Sequence, residues 1–340
     1  MNRVDFRPLL VLAALLAVVV WLMFSGRDEP IPLGVNSHDS VLPADGMQAV
    51  LPLKPFDDLN PGQVALGELL FSDTRLSGNL TVACISCHDP AKGGVDGLQF
   101  SAGIGGAVGG INAPSVLNAA YNLAQFWDGR ASSLEIQAAG PIHNPLEMGS
   151  NWEQVLSRLR EDKGLVERFA RAYADGLNAD NVAHAIATYE RFLVTANGRF
   201  DRYLKGEKQL LTPVEVDGYR RFREYGCASC HQGMLLGGNM YQKFGVMGDY
   251  FAGRNITKED LGRFNVTQRE EDRHVFKVPS LRNVELTAPY FHDGSAPTLE
   301  SAVSIMGRYQ LGRDLSTQDI QAIVAFLKTL SGPVPQAVQP

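Results

Sequence analysis

The chain has 340 residues, 45% hydrophobic and 20% charged, enough to bury the cores of two domains of ordinary size. Its net charge of -6 at pH 7 argues against a nucleic-acid partner. An acidic surface also suits small basic partners, but such surfaces are too common to identify one.

Residues 8–24 form an uninterrupted apolar run, preceded by Arg3 and Arg7. The run is just long enough to cross a bilayer, and the basic flank at residues 1–7 is expected to stay in the cytoplasm. A cleaved signal has a shorter apolar stretch ending at small residues. Here Ser25-Gly26-Arg27-Asp28-Glu29 follows, which favours an uncleaved transmembrane anchor and an exported remainder. Residues 25–54, rich in Pro, Gly, Asp and Ser without helical period, read as a linker.

Pro61-Gly62-Gln63 then opens an amphipathic stretch through Leu66, Leu69 and Leu70, a predicted helix. Next comes Cys84-Ile85-Ser86-Cys87-His88, which returns later as Cys227-Ala228-Ser229-Cys230-His231. Two cysteines one helical turn apart can form thioethers to the vinyl groups of a haem, and the histidine that follows is placed to ligate its iron. A four-cysteine zinc site needs no histidine after each pair, and no βαβ pattern surrounds a thioredoxin-like motif here. All four cysteines are thereby used, and the chain reads as a di-haem c-type cytochrome.

The second half restates the first. Pro114-Ser115-Val116-Leu117-Asn118 recurs as Pro279-Ser280-Leu281-Arg282-Asn283, Phe126-Trp127-Asp128-Gly129 as Phe291-His292-Asp293-Gly294, and Ser133-Leu134-Glu135 as Thr298-Leu299-Glu300, all at one offset. A stretch through Val182, Ile186, Tyr189 and Leu193 likewise parallels Ile320, Ile323, Phe326 and Leu330. Thr212-Pro213-Val214-Glu215 is a helix start ahead of the second motif. Almost nothing reads as strand. The expected fold is all-α: two tandem cytochrome c-like domains, residues 55–205 and 206–332, with a tail at 333–340. A Gly-rich loop at about 232–278 is peculiar to the second.

Each iron has one further axial position, and its occupant decides between electron transfer and chemistry. Met306, on an apolar helical stretch, is preferred as the second iron's thioether ligand over Met234 and Met240. By the repeat offset its counterpart in the first unit is Pro141, which cannot ligate iron. Gln137 and Glu147 stand near Pro141, and a vacant iron position facing a carboxylate is a peroxidase-like arrangement. Either polar residue could equally belong to a solvated helix face. His143, in the same segment, is a surface histidine or a weak sixth ligand. Trp127 occupies the repeat position of His292 and is either buried core or an electron relay between haems.

From about Pro55 to Gly332 the chain resembles the bacterial dihaem cytochrome c peroxidases, a family that includes the cofactor-maturation enzyme MauG. The shared stretches are Gly93-Gly94-Val95-Asp96-Gly97, Ala124-Gln125-Phe126-Trp127-Asp128-Gly129-Arg130, Gln137-Ala138-Ala139-Gly140-Pro141, Leu281-Arg282-Asn283-Val284 and Leu286-Thr287-Ala288-Pro289-Tyr290-Phe291-His292. The resemblance implies a peroxidatic N-terminal haem on His88, with Gln137, Pro141 and Glu147 in its distal pocket. It implies an electron-accepting C-terminal haem on His231 and Met306, with Trp127 between the two. Asn112 and the backbone carbonyls of Thr287 and Pro289 match the family's calcium site at the domain interface.

The implied reaction is reduction of hydrogen peroxide to water by electrons from a reduced cytochrome c or small copper protein. The implied setting is the periplasmic side of the inner membrane, and family members are often homodimers. In MauG a tyrosine replaces the methionine; Met306 therefore favours the peroxidase branch. The loop histidine that caps the first haem in many relatives corresponds to Ile104, and residues 89–112 hold no histidine, which predicts constitutive activity. A MauG-like enzyme oxidising a partner protein is the alternative, and a pure electron carrier is a third.

Overall fold

The computed structural model describes residues 50–336. No helix among them is long and apolar enough to cross a membrane. The anchor expected at residues 8–24 and most of the linker lie outside the described residues.

In chain order the first half contains α1 (Pro61–Phe71), a helical turn at Cys84–Cys87, α2 (Leu134–His143), α3 (Trp152–Arg160), α4 (Lys163–Ala172) and α5 (Ala179–Phe192). The second half contains α6 (Arg199–Leu204), α7 (Pro213–Glu224), β1 (Tyr241–Lys243), β2 (Val275–Lys277), α8 (Leu299–Ile305) and α9 (Thr317–Lys328). The fold is thus mostly helical. Its small exception is the antiparallel pair β1 and β2, with Tyr241 opposite Lys277, inside and just after the Gly-rich loop.

The helix starts follow from local chemistry. Asn60 accepts from the backbone N–H groups of Gly62 and Gln63, while Pro61 sits where no N–H is needed. Thr212 and Glu215 cap one another's backbone ahead of Pro213. In each half the helix ahead of the Cys-x-x-Cys-His motif, α1 or α7, then crosses the last helix, α5 or α9, at a glycine. A Cβ on Gly67 would stand 2.0 Å from the Ala185 carbonyl oxygen, and one on Gly218 would stand 1.9 Å from that of Ala322. Only glycine allows backbones this close.

The repeat is also a repeat of hydrogen bonds. Asn118, at φ 63°, donates its backbone N–H to Leu193 at the end of α5 (2.9 Å), and Asn283, at φ 58°, does the same to Leu330 beyond α9 (3.2 Å). Asn118 Oδ1 accepts from the Thr195 N–H (2.8 Å) and Asn283 Oδ1 from the Gly332 N–H (3.1 Å). The halves also exchange bonds: Asn112 N–H donates to the His292 carbonyl (2.7 Å), and Lys277 N–H donates to the Trp127 carbonyl (2.8 Å). Asn112 and Lys277 are repeat partners, as are Trp127 and His292. The exchange is therefore reciprocal, as in a two-fold pairing.

Two expected boundaries shift. Val50 is fully buried in the second core with Phe200, Phe222 and Phe326, and forms a parallel bridge with Gly233. Leu53 packs with Val194, Ala196 and Leu235. Residues 50–53 therefore belong to the fold, not to the linker; the Pro and Asp around them mask this short apolar segment. The joint near Lys205–Lys208 also moves upstream, because Phe200 on α6 already belongs to the second core. Asp201 beside it forms a fully buried ion pair with Arg282 (2.9 Å), and Arg282 also donates to the Leu51 (2.9 Å) and Met234 (2.7 Å) carbonyls.

Candidate active site

The second pocket is a cavity of about 270 Å³ lined by Cys227, Cys230, His231 and Met306 among apolar walls such as Phe244, Ile323 and Leu327. His231 Nδ1 lies 3.0 Å from the Leu236 carbonyl, an arrangement in which Nδ1–H donates and Nε2 is left free. Burial pushes this imidazole below its ordinary range, which keeps it neutral and fit to ligate a metal. Met306 directly follows α8 and opens a π-helical turn, Met306–Gln310. Neither Met234 nor Met240 lines the cavity.

The first motif is set among the same kinds of groups. His88 is buried and pushed below its ordinary range, with the Gly94 and Pro114 carbonyls opposing the effect; its Nδ1 forms no full hydrogen bond. Pro279, the repeat partner of Pro114, lies against His231 in the same way. The four cysteines are free, and burial raises the thiols of Cys84 to about 12 and Cys227 to about 11. Redox-active CxxC pairs have lowered thiol pKa values, the opposite of the direction at Cys84 and Cys227. Nor do the thiols converge on one metal: among the described residues the only group of three suitable donors is Asp260, His292 and Asp293. Paired thiols beside a buried neutral imidazole fit two covalent haems.

α2 and α8 begin at matching repeat positions, capped by Ser133 and Thr298. Pro141 is thus the helical counterpart of Met306. The Pro141 carbonyl accepts from the Asn144 and Met148 N–H groups (3.2 Å each), folding the following loop back over the helix that carries half-buried Gln137. Glu147 lies on this loop. Burial pushes its carboxyl above the ordinary range, against a 2.6 Å hydrogen bond from the Asn144 amide and the charge of Arg130. Ser101 and the charge of Glu147 both act on Cys87, so this loop borders the first motif. Ile104 donates its N–H to the Glu147 carbonyl (2.7 Å), and its side chain packs beside Gly78 and Gly149. His143 is exposed, with the edge of its ring toward Trp152.

Trp127 joins the halves. Its indole N–H donates to the Asn112 carbonyl (2.9 Å), its ring meets His292 edge-on at 6.4 Å, and it lines the second pocket. Asn112, Thr287 and Pro289 line the same cavity. The Asn112 amide donates to the carbonyls of Leu98 (3.0 Å) and Gln99 (3.3 Å).

Residues 61–209 match the family described as di-haem cytochrome c peroxidase. The cytochrome c551 peroxidase of Nitrosomonas europaea is 46% identical over 289 residues, 85% of each chain. The chain belongs to the di-haem cytochrome c peroxidase family. The cytochrome c peroxidase Ccp of Escherichia coli K12 is 47% identical over 79% of this chain, a match that spans little more than half, 58%, of the E. coli protein. The methylamine utilization protein MauG of Methylorubrum extorquens is more distant, at 34%. Among solved structures, a MauG-like protein associated with microbial copper homeostasis superposes with TM-score 0.73 at 29% identity, over 83% of this chain and 93% of its own. Family membership implies two haem c groups and a haem peroxidase activity.

Within this peroxidase framework, sequence reasoning missed three residues. Asn144 orients Glu147. Ser101 turns a buried hydroxyl toward Cys87. Lys277 lines the second pocket with an ammonium that burial lowers to about 8. Lys277 alone had a signal, being the repeat partner of Asn112.

Proposed function

We propose that the protein is held at the inner membrane through residues 8–24, and that in the periplasm it reduces hydrogen peroxide to water with electrons from a reduced cytochrome c or small copper protein. Cys84, Cys87 and His88 would hold the haem of the peroxide site. Cys227, Cys230, His231 and Met306 would hold that of the electron-entry site. When bound, these groups supply the redox-active iron that takes the donor's electrons and passes them to peroxide.

The observation behind this assignment is the contrast at one repeat position: a methionine in the wall of the second pocket, a proline in the first. Pro141 offers no ligand, so the first site has room for peroxide. Glu147, oriented by Asn144, takes a proton from one peroxide oxygen and delivers it to the other, so that water departs. The Gln137 amide positions the peroxide beside it. Two electrons and two protons per peroxide yield two waters. Trp127, bonded to one half and lining the pocket of the other, stands on the route between them. Asn112 with the carbonyls of Thr287 and Pro289 would hold calcium between the halves, and two copies would form a homodimer.

Ile104 is anchored on Glu147 and residues 89–112 hold no histidine, so this loop offers no imidazole to cap the first iron. The enzyme is then active without prior reduction. Absorption and EPR spectra of the fully oxidised protein test this. The expected result is a high-spin ferric signal that disappears on adding peroxide; two six-coordinate low-spin haems would refute it. An open first site would also serve a MauG-like oxidation of a partner protein, but that branch carries tyrosine where this chain has Met306.

A further inference from the structure

The two halves differ at a second repeat position, in their last helices. Ala185-Ile186 on α5 and Ala322-Ile323 on α9 occupy the same place, since Ala185 meets Gly67 and Ala322 meets Gly218. Tyr189 and Phe326 follow against the same two glycines, and Leu193 and Leu330 accept the matching asparagine bonds. This register pairs Glu190 with Leu327. Leu327 lines the second pocket together with Ile323 and Cys227. Glu190 is only 4% exposed, and its Oε2 has no hydrogen-bond partner. Its charge acts on Cys84 of the first motif. By this register Glu190 takes, in the first half, the place that Leu327 holds in the apolar wall of the second pocket.

Given the two haem sites assigned above, we propose that Glu190 is a positioning residue that lowers the reduction potential of the first haem when ionised and exchanges a proton with solvent as that site changes oxidation state. A carboxylate in a buried wall favours the more positive, oxidised state of a nearby centre. An electron arriving from the donor adds negative charge, and Glu190 then takes up a proton from water; loss of the electron releases it. A carboxyl raised by burial to about 8 can make this exchange near neutral pH.

Two nearby charges act on it in opposite directions, Arg191 favouring the ionised form and Glu135 opposing it. Arg191 is paired with Glu135 of α2 at 2.6 Å. Glu68 of α1 acts on Tyr189 instead, and Tyr121, in the turn packed on α5, donates to the Lys54 carbonyl. His143 of α2 is exposed. Leu327 leaves the second pocket without this device.

The test is potentiometric titration of both haems at a series of pH values, for the wild-type holoprotein and for Glu190→Gln, with full haem loading checked first by absorption. The expected wild-type result is a first-haem potential that falls with rising pH, with a slope approaching 59 mV per unit, one proton per electron. In Glu190→Gln the slope flattens and the potential at alkaline pH rises, while the second haem is unchanged. An equal slope in wild type and variant overturns the proposal. So does wild-type protein that takes up no proton from unbuffered solution on one-electron reduction of the first site, a measurement that stands even if the variant does not fold. Failure to load two haems would instead contradict the site assignment itself.

Discussion

Glu147 and Glu190 are both carboxyls raised by burial, yet their surroundings give them different tasks. Glu147 is half-buried and held by Asn144 beside the first motif, and the role proposed for it is to move a substrate proton. Glu147→Gln should therefore lower peroxide turnover by about 10²- to 10⁴-fold in steady-state kinetics, with the absorption spectra of both haems unchanged. Glu190 instead affects stability. Its folded form keeps its proton up to about 8, whereas an unfolded chain loses it near 4.5. Between these values the folded state binds more protons, so stability falls as pH rises through the window. Denaturant titrations of Glu190→Gln should show that part of the pH dependence removed. The Cys-x-x-Cys-His pairs stand out in the sequence because thioether chemistry fixes their spacing, and Met306 because it lies on an apolar helical stretch; the structure brings Cys227, Cys230, His231 and Met306 to one cavity. Asn144 and Ser101 do not stand out, since hydrogen bonds across a folded loop leave no periodic trace. Glu190 was hidden inside an otherwise apolar helical stripe.

Among the elements, the crossings of α1 with α5 and of α7 with α9 set both pockets. Gly218→Val would drive a side chain into the Ala322 carbonyl, and Gly67→Val would do the same at Ala185. Overpacking of this kind costs about 1–3 kcal/mol, read as a lowered Tm, with each variant perturbing the haem spectrum of its own half first. Thr212→Ala removes half of a capping box and should cost about 1 kcal/mol in thermal unfolding. These helices were legible from caps and apolar spacing. The β1/β2 pair was not, because three-residue strands are too short to show a two-residue period and lie in or beside Gly-rich sequence. The π turn at Met306 likewise depends on packing against Phe244 and Tyr250, not on a local signal.

Over the whole molecule, the two halves are fastened by the reciprocal bonds of Asn112 and Lys277, while the buried Asp201–Arg282 pair ties α6 into the second half. Replacing Arg282 with methionine leaves the Asp201 charge buried alone and should cost about 3–5 kcal/mol, read in denaturant unfolding. It should also loosen the first helix-to-core segment, since Arg282 holds the Leu51 carbonyl. The duplication was legible in sequence, but its reciprocal docking was not, because no motif encodes which backbone groups meet. That docking sets Trp127 against His292 in the wall of the second pocket, and the proposed peroxidase reading rests on the contrast of Pro141 with Met306. The most direct test mixes the fully loaded protein with hydrogen peroxide and excess reduced cytochrome c and follows the donor's absorption. Catalytic oxidation of two donor molecules per peroxide is the expected result; peroxide consumption without turnover of any small donor would contradict it.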